Sequence, residues 1–211
     1  MAPRGAQVTR VDRRDGFRGG PRPYDPAMSR DAGPSHTTGA PAQVLIPVKA
    51  FDRAKQRLAG HLEHQARSRL ARKMADAVLA AARPLAAVVV CDDDEVAGWA
   101  REAGASVCWT PGCDLNEALS AAVDSAHANG VARVVIAHAD LPFASDLARF
   151  AGPGTEGVVI VSDRHGIGTN VMSLPTDPRF ELSYGPGSAD LHAAAARAAG
   201  LAVREVTDEA L

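Results

Sequence analysis

From residue 42 onward, short aliphatic runs alternate with amphipathic stretches. Val44-Leu45-Ile46-Pro47-Val48 is an apolar run ending at Lys49, the length of a buried strand. Residues 65–82 then place Leu70, Met74, Ala77, Val78 and Ala81 at helical spacing, with Arg and Lys on the opposite face. Residues 85–90 predict a second buried strand leading into Cys91 and three aspartates. Asp93 or Asp94 is placed to cap a helix that runs to about Ala103 and is ended by Gly104. A short strand over residues 106–109 precedes a helix over 114–129, closed by Gly130. A β-branched run over 133–137 ends at His138-Ala139-Asp140-Leu141-Pro142. Strands over 157–162 and 170–174, a helix over 189–199 and a strand over 201–206 complete the pattern.

Strands that alternate with helices and are apolar almost throughout belong to a mostly parallel sheet covered on both faces. The expected fold class is therefore α/β. In such sheets ligands bind beyond the carboxyl ends of the strands. That rule directs attention to Lys49, Asp92, Asp140 and Asp163, which follow the first, second, fourth and fifth predicted strands.

Composition narrows the classes. With 211 residues, 46% of them apolar and 4% aromatic, the chain can bury one ordinary core built from aliphatic side chains. No apolar run approaches the roughly 20 residues of a membrane span, and the Arg-rich start lacks the apolar core of a secretory signal. Cys91, Cys108 and Cys113 show no CxxC spacing and read as free thiols of a reducing compartment, so a cytoplasmic location is expected.

Charge separates two regions. Residues 1–41 carry seven Arg against four Asp, a net +3, within a Gly- and Pro-rich stretch nearly devoid of aliphatic residues. Such a segment cannot offset its ordering entropy and is expected to be a disordered, passive extension, with Met28 an alternative start. Its small basic excess lacks the interleaved aromatics and lysines of a nucleic-acid binder, and neither nucleic acid nor membrane is expected as a partner. Residues 42–211 form the expected folded domain and carry −5, which with the +3 makes the overall −2.

Within that domain, Lys49, Arg53, Lys55 and Arg57 place four cations in nine residues directly after the first strand, and two of the chain's three lysines are among them. A solvated basic loop is the plain alternative, but a position at a strand's carboxyl end favours contact with a polyphosphate. The segment is not a P-loop, because the glycines of GxxxxGK[ST] are absent. Asp140, in Asp-Leu-Pro at a strand end, suits a magnesium ligand, since magnesium takes one or two carboxylates plus phosphate oxygens; a turn residue is the alternative. His138 reads as a wall residue or phosphate donor. Gly166 and Gly168 in Asp163-Arg164-His165-Gly166-Ile167-Gly168-Thr169-Asn170 permit close approach of a ligand or make a tight hairpin. Tyr184-Gly185-Pro186-Gly187-Ser188 opens the helix carrying His192, where backbone N–H groups and the Ser188 hydroxyl form either an anion site or an ordinary cap. Asn116 is placed to bond a base or ribose, or to cap its helix.

Taken together and in this order, Ile46-Pro47-Val48-Lys49, Ala54-Lys55-Gln56-Arg57-Leu58, Leu115-Asn116-Glu117-Ala118-Leu119, Ala139-Asp140-Leu141-Pro142, Asp163 through Asn170, and Tyr184 through Ser188 with His192 resemble the CofC/FbiD family of guanylyltransferases of coenzyme F-420 biosynthesis. The resemblance covers roughly residues 43–206. It implies a three-layer Rossmann-like nucleotidyltransferase fold of the GT-A type, with GTP as co-substrate and magnesium as cofactor. It implies transfer of GMP from GTP to a phosphorylated three-carbon acid (2-phospho-L-lactate, phosphoenolpyruvate or 3-phospho-D-glycerate), with small molecules as partners and a homodimer allowed. Carried over by motif, Lys49, Lys55 and Arg57 grip the GTP phosphates and are the catalytic cations, Asn116 joins the nucleotide contacts, and Thr169, Gly185 and Ser188 contact the acid. Asp140, with Asp163 as second, holds the metal.

Two departures from the family pattern stand out. A further Asp-containing segment usual after the last strand is missing, so an incomplete C-terminal end is expected, and Leu191 stands before His192 where an Arg is common. The enzymatic alternative is another nucleotidyltransferase of this fold, of molybdenum-cofactor or sugar-phosphate type, against which Lys49-Ala50-Phe51-Asp52 stands where a glycine-rich loop is expected. The other alternative is a catalytically weak, nucleotide-binding member.

Overall fold

The computed structural model describes residues 41–209 and 211. The expectation of a disordered extension falls almost entirely outside them. Seven strands form one sheet: β1 (Ala42–Pro47), β2 (Ala86–Cys91), β3 (Ser106–Trp109), β4 (Arg133–Ala137), β5 (Val158–Ser162), β6 (Thr169–Pro175) and β7 (Val203–Val206). Four helices connect or cover them: α1 (His64–Ala81), α2 (Asp94–Glu102), α3 (Leu115–Ala128) and α4 (Ser188–Ala198). The spatial order is β3-β2-β1-β4-β6-β5-β7. All neighbouring pairs are parallel except those of β6, which runs antiparallel to both β4 and β5. The fold is thus a mostly parallel, Rossmann-like α/β sheet, as the aliphatic runs indicate.

Alternation along each strand builds two cores. Val44, Ile46, Val89, Val135, Val159 and Val171 point to the face covered by α1 and α2 through Ala75, Val78, Val96 and Trp99. Leu45, Val90, Val134, Ile136, Ile160 and Met172 point to the face covered by α3 and α4 through Leu119, Val123, Ala193 and Ala196. Three layers follow from this two-sided burial.

The helix starts obey local chemistry. Asp93 caps α2 by accepting the Val96 N–H at 3.0 Å. Asp114 and Glu117 form a reciprocal capping box at α3, at 2.9 and 3.0 Å. Gly187, with φ of 75°, precedes α4, so Ser188 is the first helical residue and its hydroxyl is not used as a cap.

Two features position the site. β1 and β4 are adjacent and parallel, yet the chain leaves β1 toward β2 on one side and reaches β4 through α3 on the other, which opens a crevice at their carboxyl ends. Because β6 is antiparallel, its first residue, Thr169, comes to the same edge at which β1, β2 and β4 end.

The loop after β1 is anchored there by Phe51, which is 1% exposed and meets the Trp99 ring edge-on at 5.4 Å, with the Arg72 guanidinium 6.0 Å from its centroid. Single turns of 3-10 helix over Phe51–Arg53 and Gln56–Leu58 carry Arg53 and Arg57, with Lys55 between the two. Replacing Phe51 with alanine removes this anchor and opens a cavity; Phe51→Ala is expected to lower stability by about 3–5 kcal/mol in urea unfolding.

Candidate active site

Three adjoining cavities line the carboxyl edge. The central one, of about 270 Å³, is walled by Lys49, Lys55, Leu115, His138 and Asp140, with Phe51 and Ala71 as apolar floor. It shares Lys49 and Leu115 with a cavity of about 220 Å³ above β1, β2 and β3, to which Arg53, Asp92, Thr110, Cys113 and Asp114 contribute. On the other side it shares Leu115, His138 and Asp140 with a cavity of about 360 Å³ lined by Gly168, Thr169, Asn170, Tyr184, Gly185 and Ser188. The segments singled out in the sequence therefore converge on one cleft.

Lys55 has a left-handed backbone, φ 53°, at the junction of the two short turns. For a residue with a Cβ this conformation costs on the order of 1 kcal/mol. It accompanies an ion pair in which Nζ donates to Asp140 Oδ2 at 2.9 Å, joining the β1 loop to the end of β4 across 85 residues of sequence. Burial works against ionisation of Asp140, but the hydrogen bond and charge of Lys55, helped by His138, outweigh it and hold the carboxyl below its ordinary range. Lys49 is exposed at the strand end and faces two of the cavities. Arg57 is exposed on the second turn and lines none of the three, whereas Arg53 does.

Asp163 organises its own loop. Its Oδ1 accepts the N–H groups of His165 and Ile167, each at 3.0 Å, and these bonds, the Ile167 amide first, hold the carboxyl below its usual range. A Cβ on Gly168 would lie 2.9 Å from Asp163 Oδ2, so a larger residue there would make the Asp163 carboxylate shift. Asn116 holds both backbone polar groups of Tyr184: its Oδ1 accepts the Tyr184 N–H at 2.7 Å, and its Nδ2 donates to the Tyr184 carbonyl at 3.3 Å. The amide assigned to the nucleotide is thus occupied in shaping the loop before α4.

The start of α4 differs from an open anion site. The Ser188 N–H goes to the Gly185 carbonyl and that of Ala189 to the Ile167 carbonyl. What faces the cavity instead is a hydroxyl pair, Ser188 Oγ lying 3.2 Å from Thr169 Oγ1. Behind it sits His192, fully buried, with Nδ1 3.1 Å from Thr169 Oγ1 and Nε2 accepting the Ser183 N–H at 2.9 Å. Tyr184 stands between two imidazoles, its ring centroid 5.1 Å from that of His138 and 4.7 Å from that of His192. Sequence reasoning missed both the edge-on contacts of Tyr184 with the two imidazoles and the bond from His192 to Thr169. The only signal for the latter was a lone histidine one turn into a helix, a pattern most often structural.

Among the described residues no group of three His, Cys, Asp or Glu is placed to hold a metal ion. Asp140 offers a single ionised carboxylate at the centre of the cleft. That donor set is too small for an all-protein cage and right for a hard cation that takes its remaining oxygens from bound phosphates. No helix among the described residues is long and apolar enough to cross a membrane.

Comparison with known proteins gives a consistent picture. The family described as "Guanylyl transferase CofC like" matches residues 42–209. A phosphoenolpyruvate guanylyltransferase of Sphaerobacter thermophilus is 36% identical over 174 residues, covering 79% of this chain and 84% of that protein. Its counterpart in Chloroflexus aggregans is 33% identical over 181 residues, covering 80% and 89%. Among solved structures, a nucleotidyl transferase from a Methanothermobacter species shares the fold with a TM-score of 0.54 at 19% identity, covering 81% of this chain and 88% of that one.

The buried His192 makes the site acid-sensitive. Burial, helped by the charge of His138, pushes His192 down to about 4 from its ordinary 6.5. Burial lowers His138 as well, against the pull of Asp140. Between about pH 6.5 and 4 the unfolded chain binds a proton at His192 that the folded chain does not, so this stability is complete above the window and is lost as pH falls through it. Urea titrations are expected to show about 2 kcal/mol less stability at about pH 5 than at about pH 7. Equal stability at the two values rules out a neutral, buried His192.

Proposed function

Since the chain belongs to the CofC-like guanylyl transferase family, we propose that it transfers GMP from GTP to the phosphate of a three-carbon acid, with phosphoenolpyruvate the first acceptor to test. The observation that carries this reading is the cleft itself: a cation-lined cavity and a hydroxyl-lined cavity meet at Asp140, as two polyanionic reactants facing each other require. The names of the Sphaerobacter and Chloroflexus relatives favour phosphoenolpyruvate over 2-phospho-L-lactate and 3-phospho-D-glycerate. A place in coenzyme F-420 biosynthesis belongs to the same reading.

In this mechanism an oxygen of the acceptor phosphate attacks the α-phosphorus of GTP in line. One P–O bond forms, the bond from the α-phosphorus to the bridging oxygen breaks, and pyrophosphate leaves. The attacking oxygen is already anionic, so no general base is needed, and neither His138 in the cleft wall nor His192, buried and fully engaged behind it, has to take a proton. Charge neutralisation and alignment dominate. Lys49 and Lys55 offset the β,γ-phosphates, Arg53 or Arg57 adds to that grip from the same loop, and the cavity above β1–β3 takes the nucleoside. Thr169, Ser188 and the exposed backbone at Gly185 hold the acid. Asp140, with Asp163 as second candidate, would hold magnesium, which when bound neutralises phosphate oxygens. Asn116, its amide engaged by the Tyr184 backbone, serves the acceptor side through the loop it holds.

Pyrophosphate release from purified protein with GTP and magnesium, each of the three acids supplied separately, tests this. Release with phosphoenolpyruvate is expected; silence with all three from folded protein overturns the reading. Lys49→Ala is expected to cut turnover by about 10²–10³, the worth of a donor aimed at developing charge. Turnover within a factor of about three of the unaltered protein removes Lys49 from the phosphate grip.

A further inference from the structure

His192 sits behind the acceptor cavity and cannot touch a ligand in it: the ring is fully buried, and Thr169 and Ser188 stand between. Its two nitrogens nevertheless determine which hydrogens the cavity presents. The Ser183 backbone N–H can only donate, and it points at Nε2 from 2.9 Å. Nε2 therefore carries the lone pair. A neutral imidazole then bears its hydrogen on Nδ1, and the group 3.1 Å from Nδ1 is Thr169 Oγ1. The opposite tautomer would set two N–H groups against each other at Ser183. Thr169 is thus an acceptor toward His192, and its own hydrogen must go elsewhere.

The count of hydrogens is then decisive. Thr169 and Ser188, 3% and 2% exposed, hold two hydroxyl hydrogens between them, and their mutual 3.2 Å contact uses one. The other is left for the cavity that both residues line. With the tautomer reversed, Thr169 would donate backwards into Nδ1 and the cavity would lose that donor. The arrangement is braced on the far side, because Tyr184 packs on the imidazole at 4.7 Å and Asn116 fixes the Tyr184 backbone next to the Ser183 amide.

We propose that His192 is a positioning residue for the acceptor: as a fixed Nδ1–H donor to Thr169, it makes the Thr169–Ser188 pair present a hydroxyl hydrogen to an anionic oxygen of the acid. This rests on the reading of Thr169 and Ser188 as acceptor contacts. Asparagine at this position offers its amide N–H near the place of Nδ1, whereas glutamine extends its carbonyl toward the Ser183 amide. The two therefore separate a role exerted through Thr169 from a role as a prop for the loop.

Steady-state kinetics of His192→Asn and His192→Gln, with KM measured for phosphoenolpyruvate and for GTP, make the test. The expected result is a KM for the acid within about threefold of the unaltered protein in His192→Asn and raised about tenfold or more in His192→Gln, with the KM for GTP steady in both. A His192→Gln enzyme that matches the unaltered protein, equal loss in both variants, or a parallel rise in the KM for GTP overturns the proposal. The unaltered protein, 15N-labelled in histidine, gives a readout free of folding or activity defects. Its His192 ring is expected in the Nδ1–H form, with the Nδ1 resonance moving when phosphoenolpyruvate is added. An Nε2–H form, or a resonance that phosphoenolpyruvate leaves in place, overturns the proposal. Absence of pyrophosphate release from the unaltered protein with every acid tells instead against the proposed reaction.

Discussion

The adjacency of β1 and β4 is the constraint on which the site depends. Two parallel strands whose connections leave in opposite directions cannot be bridged at their carboxyl ends, so the edge stays open between them. Lys49 follows one strand and Asp140 the other, and the Lys55–Asp140 pair spans the gap. The antiparallel insertion of β6 beside β4 then adds Thr169 to the same edge without a further crossover. A parallel strand in that place would present its carboxyl end there and carry Thr169 to the opposite edge.

The two halves of the cleft are built on different physical terms. The β1 loop offers flexible, charged side chains on short turns held down by one buried aromatic, Phe51. Charge of this kind attracts any polyphosphate and tolerates small displacements of it. The half around Thr169, Ser188 and His192 is neutral, buried and bonded atom to atom. Its selectivity comes from hydrogens in fixed directions, and its cost is the acid-sensitive burial of an imidazole. Asp140 lies where the two meet, its side chain still exposed, and the hydrogen bond and charge of Lys55 hold its carboxyl below the ordinary range.

The sheet was legible because its signal is redundant. The central strands β1, β2, β4 and β5 are largely runs of aliphatic side chains buried on both faces, and Asp93, Asp114 and Gly130 mark helix ends by short-range chemistry. The segments of the site were legible too, since a residue just past an apolar run sits at a strand end whatever the wider topology. Partnerships across the sequence were not. Nothing in Asn116 announces that its amide holds the Tyr184 backbone 68 residues away, and a lone Asp163 reads the same whether it binds a metal or accepts two amides of its own loop. The antiparallel course of β6 was also hidden, because a buried strand shows the same aliphatic run in either direction.

That difference explains why the sequence shows His192 on the helix after Ser188 but not its bond to Thr169. A histidine on a buried helix face is most often a satisfied core residue, and by its hydrogen bonds it is one: both ring nitrogens are engaged and no part of it is exposed. Structural satisfaction and influence on a ligand are not alternatives here. The bond that satisfies Nδ1 removes one of the acceptor sites on Thr169, and so changes what Thr169 can offer on its other side. In a buried network the direction of each hydrogen bond is set by its neighbours, and the fixed element of this one is a backbone N–H, which cannot reverse. The Ser183 amide therefore sets the imidazole, the imidazole sets Thr169, and the last hydrogen in the sequence faces the cleft.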